Sequence, residues 1–252
     1  MLIPRTGLVS ALPLRITDEK RIYILFRVSA LVIILLCWGD SSHAKAQQVQ
    51  FGIDFTSVIP TGDFRRNVTN NGYGVGGQFL VGVGRSPLFL GADAAITTYG
   101  SEEHKEPIST TIPELRVKVR TDNNIALAHI LLRAQPRTGA VRPYADGLIG
   151  IKHLFTNTRI LSDSNDQEIA STKNLSDLAF SYGFGGGVQV RLARFGRNGD
   201  ISLDGKARYL RGGRAEYLKR GSIRRENGAV FFDVLRSRTD VATIQIGIAF
   251  RF

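Results

Sequence analysis

The 252-residue chain contains one cysteine, one methionine, one tryptophan and four histidines. Cys37, Met1 and Trp38 all lie within the first 46 residues, so the remainder carries no thiol. Disulfide scaffolds, thiolate nucleophiles and cysteine-based metal sites are thereby excluded from it. Three histidines remain after residue 46 (His104, His129 and His153), too scattered for a zinc ligand set. His104 sits among Glu102, Glu103 and Glu106, which reads as a solvated acidic patch. There is no H-E-x-x-H, no G-x-S-x-G and no Walker loop. "GFGGG" (Gly183 to Gly187) brushes against a dinucleotide pattern, but no helix follows to supply the phosphate-binding terminus. Neither a cofactor nor a metal is expected. After Gln47 no segment keeps a helical period over several turns.

What is present begins with an export signature. Lys20, Arg21 and Arg27 precede the apolar run Val28 to Trp38, and Ala44-Lys45-Ala46 follows. A basic region, a short apolar run and an A-x-A site predict a signal peptide over 1–46, cleaved before Gln47. The run is short for a membrane-spanning helix, which needs roughly 20 residues. Six of the 33 Lys/Arg and three of the 22 Asp/Glu lie in residues 1–46, leaving a net +8 beyond them. Such a balance suits an anionic partner. For an exported chain that partner is a phosphate-bearing surface, not nucleic acid.

Residues 47–252 alternate with period two, the signature of strands. In "VQFGIDF", Val49, Phe51, Ile53 and Phe55 oppose Gln50, Gly52 and Asp54. Similar alternation recurs in "YGVGGQFLVGVG", from Leu88 to Ile96, in "NIALAHILLRA", "VRPYADGLIGIKHLF", "SDLAFSYGFGGGVQVRL" and "DISLDGKARYL", and in the closing "VATIQIGIAFRF". That makes eight strands. The linkers after strands two, four and six are short ("RSP", "QPRTGA", "RFGRNG"). Those after strands one, three, five and seven are long and polar, over 60–71, 100–123, 155–175 and 212–240. "ELRVKVRT" also alternates and extends strand four outward. This spacing predicts an all-β, eight-stranded antiparallel up-and-down barrel in a single domain, 47–252.

Alternation does not say which face meets water. A soluble barrel points its apolar face inward; a transmembrane barrel points it at lipid. Here the apolar faces carry no charged residue, and the opposite faces mix charges of both signs with many glycines. A solvated strand face gains nothing from glycine, whereas a narrow packed lumen needs small residues beside long ones. Aromatics near strand ends (Phe55, Tyr73, Tyr209, Phe250, Phe252) match an interfacial girdle. These features predict the transmembrane alternative.

With "FGIDFTSVIPTGDF", the two glycine-alternating strands and the terminal "IQIGIAFRF", the chain resembles the small outer-membrane β-barrel family of Gram-negative bacteria. The similarity is to OmpA- and OmpX-type barrels, in the form found among Bacteroidetes-like organisms. It implies residence in the outer membrane as a monomer among lipid and lipopolysaccharide. It also implies that Phe250 and Phe252 act as the signal read by the barrel-assembly machinery. The function implied is envelope structure or surface interaction through the loops, without catalysis.

Two sets of side chains are candidate sites. On the lumen face Asp54, Asp93, Asp146, Asp177, Asp200 and Asp204 can pair with Arg133, Arg142, Lys152, Arg191, Lys206, Arg208 and Arg251. Unpaired burial would be costly, so a connected network plugging the lumen is expected. The last long loop is basic, and Arg214, Lys219, Arg220, Arg224 and Arg225 are candidates for contact with lipopolysaccharide phosphates. Its sequence predicts a hairpin turning at Glu226-Asn227-Gly228. Two rival readings stay open. One is a lipid-modifying barrel enzyme of the lipid A deacylase type, for which His153 lies near the outer end of strand five on the lipid parity. The other is a soluble secreted barrel that binds a small apolar ligand.

Overall fold

The computed structural model describes residues 48–107, 116–162, 167–196, 199–226 and 229–252. The expected signal peptide and its cleavage site lie outside the described residues. Eight strands close into an antiparallel barrel: β1 (Val49–Pro60), β2 (Gly72–Gly82), β3 (Leu88–Pro107), β4 (Arg116–Ala134), β5 (Val141–Ser162), β6 (Glu168–Phe195), β7 (Gly199–Gly212) and β12 (Val241–Arg251). Each pairs with its neighbour in sequence order. Closure comes from β12 lying between β7 and β1, with Phe51 opposite Phe250 and Phe250 opposite Ile201. Val49 and Phe252 exchange two further backbone hydrogen bonds, of 3.2 and 2.9 Å.

The parity of the sequence separates the two faces. Outward residues such as Ile53 (55 % exposed) and Phe184 (70 % exposed) form an uninterrupted apolar belt. Inward residues such as Asp54, Asp146 and Arg133 are buried. In a water-soluble fold this distribution would be reversed.

Two connections differ from the expectation of long loops. Residues 100–107 and 116–123 continue the β3–β4 ladder as far as Pro107 opposite Arg116. Most of 155–175 continues the β4–β5 and β5–β6 ladders. Strands β3 to β6 therefore rise beyond the barrel as an open four-stranded sheet, while β1, β2, β7 and β12 have only 11 to 14 residues. From Thr98 to Pro107 the sheet gains roughly 30 Å.

The other two connections form a roof. The first contains a one-turn helix, α1 (Gly62–Asn67), which buries Phe64 completely. The last folds into two small ladders, β8 (Arg214–Tyr217) with β11 (Leu235–Arg238), and β9 (Ile223–Glu226) with β10 (Ala229–Phe232). The β9–β10 register sets Glu226 opposite Ala229, and the rest of the expected turn, Asn227 and Gly228, lies outside the described residues.

Candidate functional site

Much of the interior is occupied by a connected polar network. The Arg133 guanidinium donates to both carboxylate oxygens of Asp146, at 2.7 and 2.9 Å, and lies 3.6 Å over the Tyr144 ring. Arg208 reaches Asp146 and Asp93, each at 2.8 Å, and Gln245 at 3.1 Å. Gln245 donates in turn to Asp54 and Thr56, each at 3.0 Å. Lys206 donates to Asp54 at 2.8 Å and to Gln78 at 3.2 Å. The hub is the Gln78 amide, which accepts from Arg133 and Lys206 and donates to Asp204. Tyr144 completes Asp204 with a hydrogen bond of 2.6 Å. Bidentate pairing and the further hydrogen bonds to the carboxylates are what make such burial tolerable.

The network draws on every barrel strand except β6, whose share is space. A Cβ at Gly185 would run into Arg208, and one at Gly187 into the Tyr144 ring. The "GFGGG" stretch is thus the flat wall against which the long side chains lie.

Three of the expected network residues stand elsewhere. Asp177 lies on the sheet extension above the barrel, half-buried, and accepts from the backbone N–H groups of Glu216 and Leu178. Arg191 is half-buried at the short-turn mouth, and among the described residues no carboxylate lies within ion-pair distance of it. Lys152 is inside and fully buried, but its ammonium donates to the carbonyls of Leu210 and Thr239, at 2.9 and 2.7 Å, and among the described residues no carboxylate lies within ion-pair distance of it. Arg142 and Arg251 form a separate cluster on Asp200, with Ser202 also bound to Arg142.

Each end of the interior carries a further cluster. At the short-turn end Gln50 donates to Gln135 (3.0 Å), Gln135 to Gln189 (2.8 Å) and Gln189 back to Gln50 (3.5 Å), a closed ring. At the other end Phe64 meets Tyr217 and Tyr99 edge-on, with centroids 4.9 and 5.9 Å away. Tyr99 donates to the Leu218 carbonyl at 2.8 Å, and Asn67 to the Tyr217 hydroxyl at 2.8 Å. Neither glutamine ring nor aromatic roof was part of the sequence expectation, because none of these residues carries charge.

The basic residues of the last loop divide into separate places. Arg214 lies directly opposite Arg238 in the β8–β11 ladder, and both are exposed. Arg236, opposite Glu216, shares that face, and Arg211 is exposed at the end of β7, opposite Tyr182. Like charges facing each other across a ladder are destabilising unless an anion comes between them. No carboxylate lies within ion-pair distance of these four arginines among the described residues. Lys219 and Arg220 sit apart on the turn after β8, and Arg224 and Arg225 on β9. Arg236 and Arg238, basic residues of the same loop, share the exposed face of Arg214, and Arg211 is exposed at the end of β7.

His153 has a neighbour that its position in sequence did not reveal. Its Nε2 lies 2.7 Å from the Ser176 hydroxyl, on the outward face beside Phe155. The pair resembles part of a hydrolytic dyad. Acyl transfer also needs free N–H donors for an oxyanion, and here both strands are laddered on the β5–β6 register. Ser176→Ala is expected to leave the acylation of membrane lipid unchanged, as read by mass spectrometry of the glycolipid from cells with either form.

Above the rim the outward face of the extended sheet is polar. Asp122 accepts from Ser101 at 2.6 Å, from Arg120 at 3.1 Å and from Arg159. Burial alone would raise its carboxyl, but these donors outweigh it and hold the group below the usual carboxylate range.

No protein-family model and no curated protein matches the chain. Among solved structures it is similar to Neisserial surface protein A (12 % identity, 81 % of this chain and 95 % of that one, TM-score 0.33). It is also similar to Ail, the attachment invasion locus protein of Yersinia pestis, solved with the heparin analogue sucrose octasulfate (13 %, 82 % and 97 %, TM-score 0.32). A third is a major outer membrane protein from Thermus thermophilus (10 %, 81 % and 99 %, TM-score 0.33). At that identity and superposition they add nothing to the barrel's own geometry.

Proposed function

We propose that the chain is an integral outer-membrane barrel with a closed interior, acting in envelope structure or surface interaction through the parts that rise above the rim. One observation carries the reading: the closed barrel exposes its large apolar side chains and buries its charges. Each stave of the belt is long enough for a transmembrane strand, which takes roughly 9–11 residues. The first outward charge on β7 is Arg211, at the top of the belt beside Tyr209 and Tyr182. Tyrosine and arginine in that order suit the passage from acyl chains to headgroup phosphates. Arg211, Arg214, Arg236 and Arg238 then face lipopolysaccharide phosphates. The small outer-membrane barrel family, in its Bacteroidetes-like form, remains the resemblance that fits.

The filled interior supports a plug. The purified protein is expected to show negligible conductance in planar bilayers, and large stable single-channel steps would overturn the closed lumen. Cell fractionation tests the membrane reading itself. The protein should sediment with outer membrane and migrate faster on unheated gels than on heated ones. Recovery in the soluble fraction would favour the secreted barrel instead.

A further inference from the structure

A polar cleft of about 510 Å³ opens where β2 stops and β3 continues upward. Beyond the Tyr73–Thr98 pair, β3 has no strand on the β2 side among the described residues, and its register shifts at Tyr99. Bulges of this kind re-aim side chains and interrupt pairing. On one side the cleft is bounded by Arg65 and by Asn70 and Asn71 of the first connection, on the other by Arg220. Its floor is the β3 edge around Gly100, where a Cβ would stand 3.9 Å from the Arg220 stem.

The side chains offered to this space define a chemistry. Arg65 and Arg220 are exposed guanidinium groups, and among the described residues neither has a carboxylate within ion-pair distance. Arg65 is steadied by donating to the Thr69 carbonyl at 2.5 Å. Tyr73 is 55 % exposed and its ring is stacked on Phe55, with centroids 6.2 Å apart and planes within 18°. It offers a flat apolar face held in one orientation. Asn70 and Asn71 add amides that both donate and accept. Two unpaired cations, planar amides and a fixed aromatic platform suit a hydroxyl-rich ring that carries an acid group. An apolar ligand would leave these groups without partners, and a peptide strand on the free β3 edge, Tyr99–Pro107, would pair through its backbone and leave Arg65 and the Tyr73 ring unused.

We infer that this cleft binds an acidic saccharide unit, its carboxylate or phosphate between Arg65 and Arg220 and its ring on Tyr73. The inference rests on the reading of the chain as a surface-exposed barrel. Such a sugar could belong to a glycolipid of the same membrane or to a free acidic polysaccharide.

The test is calorimetry on the full-length barrel purified in detergent micelles. The probes are a galacturonic acid trimer, the uncharged galactose trimer, a glutamate tripeptide and the phosphorylated core oligosaccharide released from lipopolysaccharide by deacylation. At least one acidic saccharide should bind while the galactose trimer does not. Arg65→Gln combined with Arg220→Gln should weaken that binding by about tenfold or more, and Tyr73→Ala should weaken it separately. Migration of the unheated variants on gels checks that they remain folded. Preference for the core oligosaccharide assigns the source to glycolipid, and preference for the galacturonic acid trimer assigns it to free polysaccharide. Equal binding of the galactose trimer, indifference to the paired substitution, or tighter binding of the tripeptide would overturn the inference. A protein that fractionates away from the outer membrane would remove the membrane reading and leave the calorimetric result standing.

Discussion

Arg208→Leu is expected to destabilise the barrel by about 3–5 kcal/mol, the range for breaking a buried ion pair from one side. Arg208 is the sole cation within ion-pair distance of Asp93 among the described residues, and it also supports Asp146. Its removal leaves Asp93 buried without a counterion and Gln245 without its donor. The measurement is the temperature or urea concentration at which the fast-migrating band on an unheated gel is lost. Adding Asp93→Asn should recover a large part of the deficit, because the cost comes from the stranded charge more than from the lost contact. A single variant as resistant as the parent would mean that water reaches the interior and screens it.

Removal of Phe250–Phe252 is expected to lower the yield of folded barrel by about a hundredfold or more. The three residues contribute the last part of the β12 register, where Arg251 lies opposite Gln50 and Asp200. They also supply the two Val49–Phe252 hydrogen bonds and the Arg251 partner of Asp200. Several backbone bonds at about 1 kcal/mol each, plus the loss of one of the two arginines on Asp200, exceed the roughly 2.8 kcal/mol that a hundredfold represents. An open edge in lipid adds unpaired backbone groups. Folded yield after expression, read by heat-modifiable migration, decides it. Two comparisons separate the causes. Arg251→Gln tests the interior cluster, and Phe250→Ala with Phe252→Ala tests the aromatic signal proposed for the assembly machinery.

The staves were legible in the sequence because each has one face in an apolar surround and one in a polar interior, and alternation records that contrast. Above the rim both faces of the sheet are wet. "GSEEHKEP" and "TNTRILS" therefore lose their period while their backbones go on pairing, and they read as loops. The helix α1 is too short for any period to show. Interior residues were identifiable by parity, but parity gives the side of a strand and not its height. That is why Asp177, on the extension, and Arg191, at the lower mouth, were grouped with residues they do not meet. Pairings such as Asp54 with Lys206 depend on the stagger of strands around the barrel, which no local pattern encodes. The Ser176 neighbour of His153 was hidden for the same reason.

The participation of seven strands in one interior network bears on how the barrel can form. Asp54 on β1 reaches Lys206 on β7 directly, and reaches Arg208 through Gln245 on β12. In a ribbon of the first seven strands Arg133 already lies opposite Asp146, but Asp54 and Asp93 are far from Lys206 and Arg208 and must stay hydrated. Water can leave only when the first and last strands meet. Closure and drying of the interior are therefore a single event, and a half-closed barrel has no stable resting state.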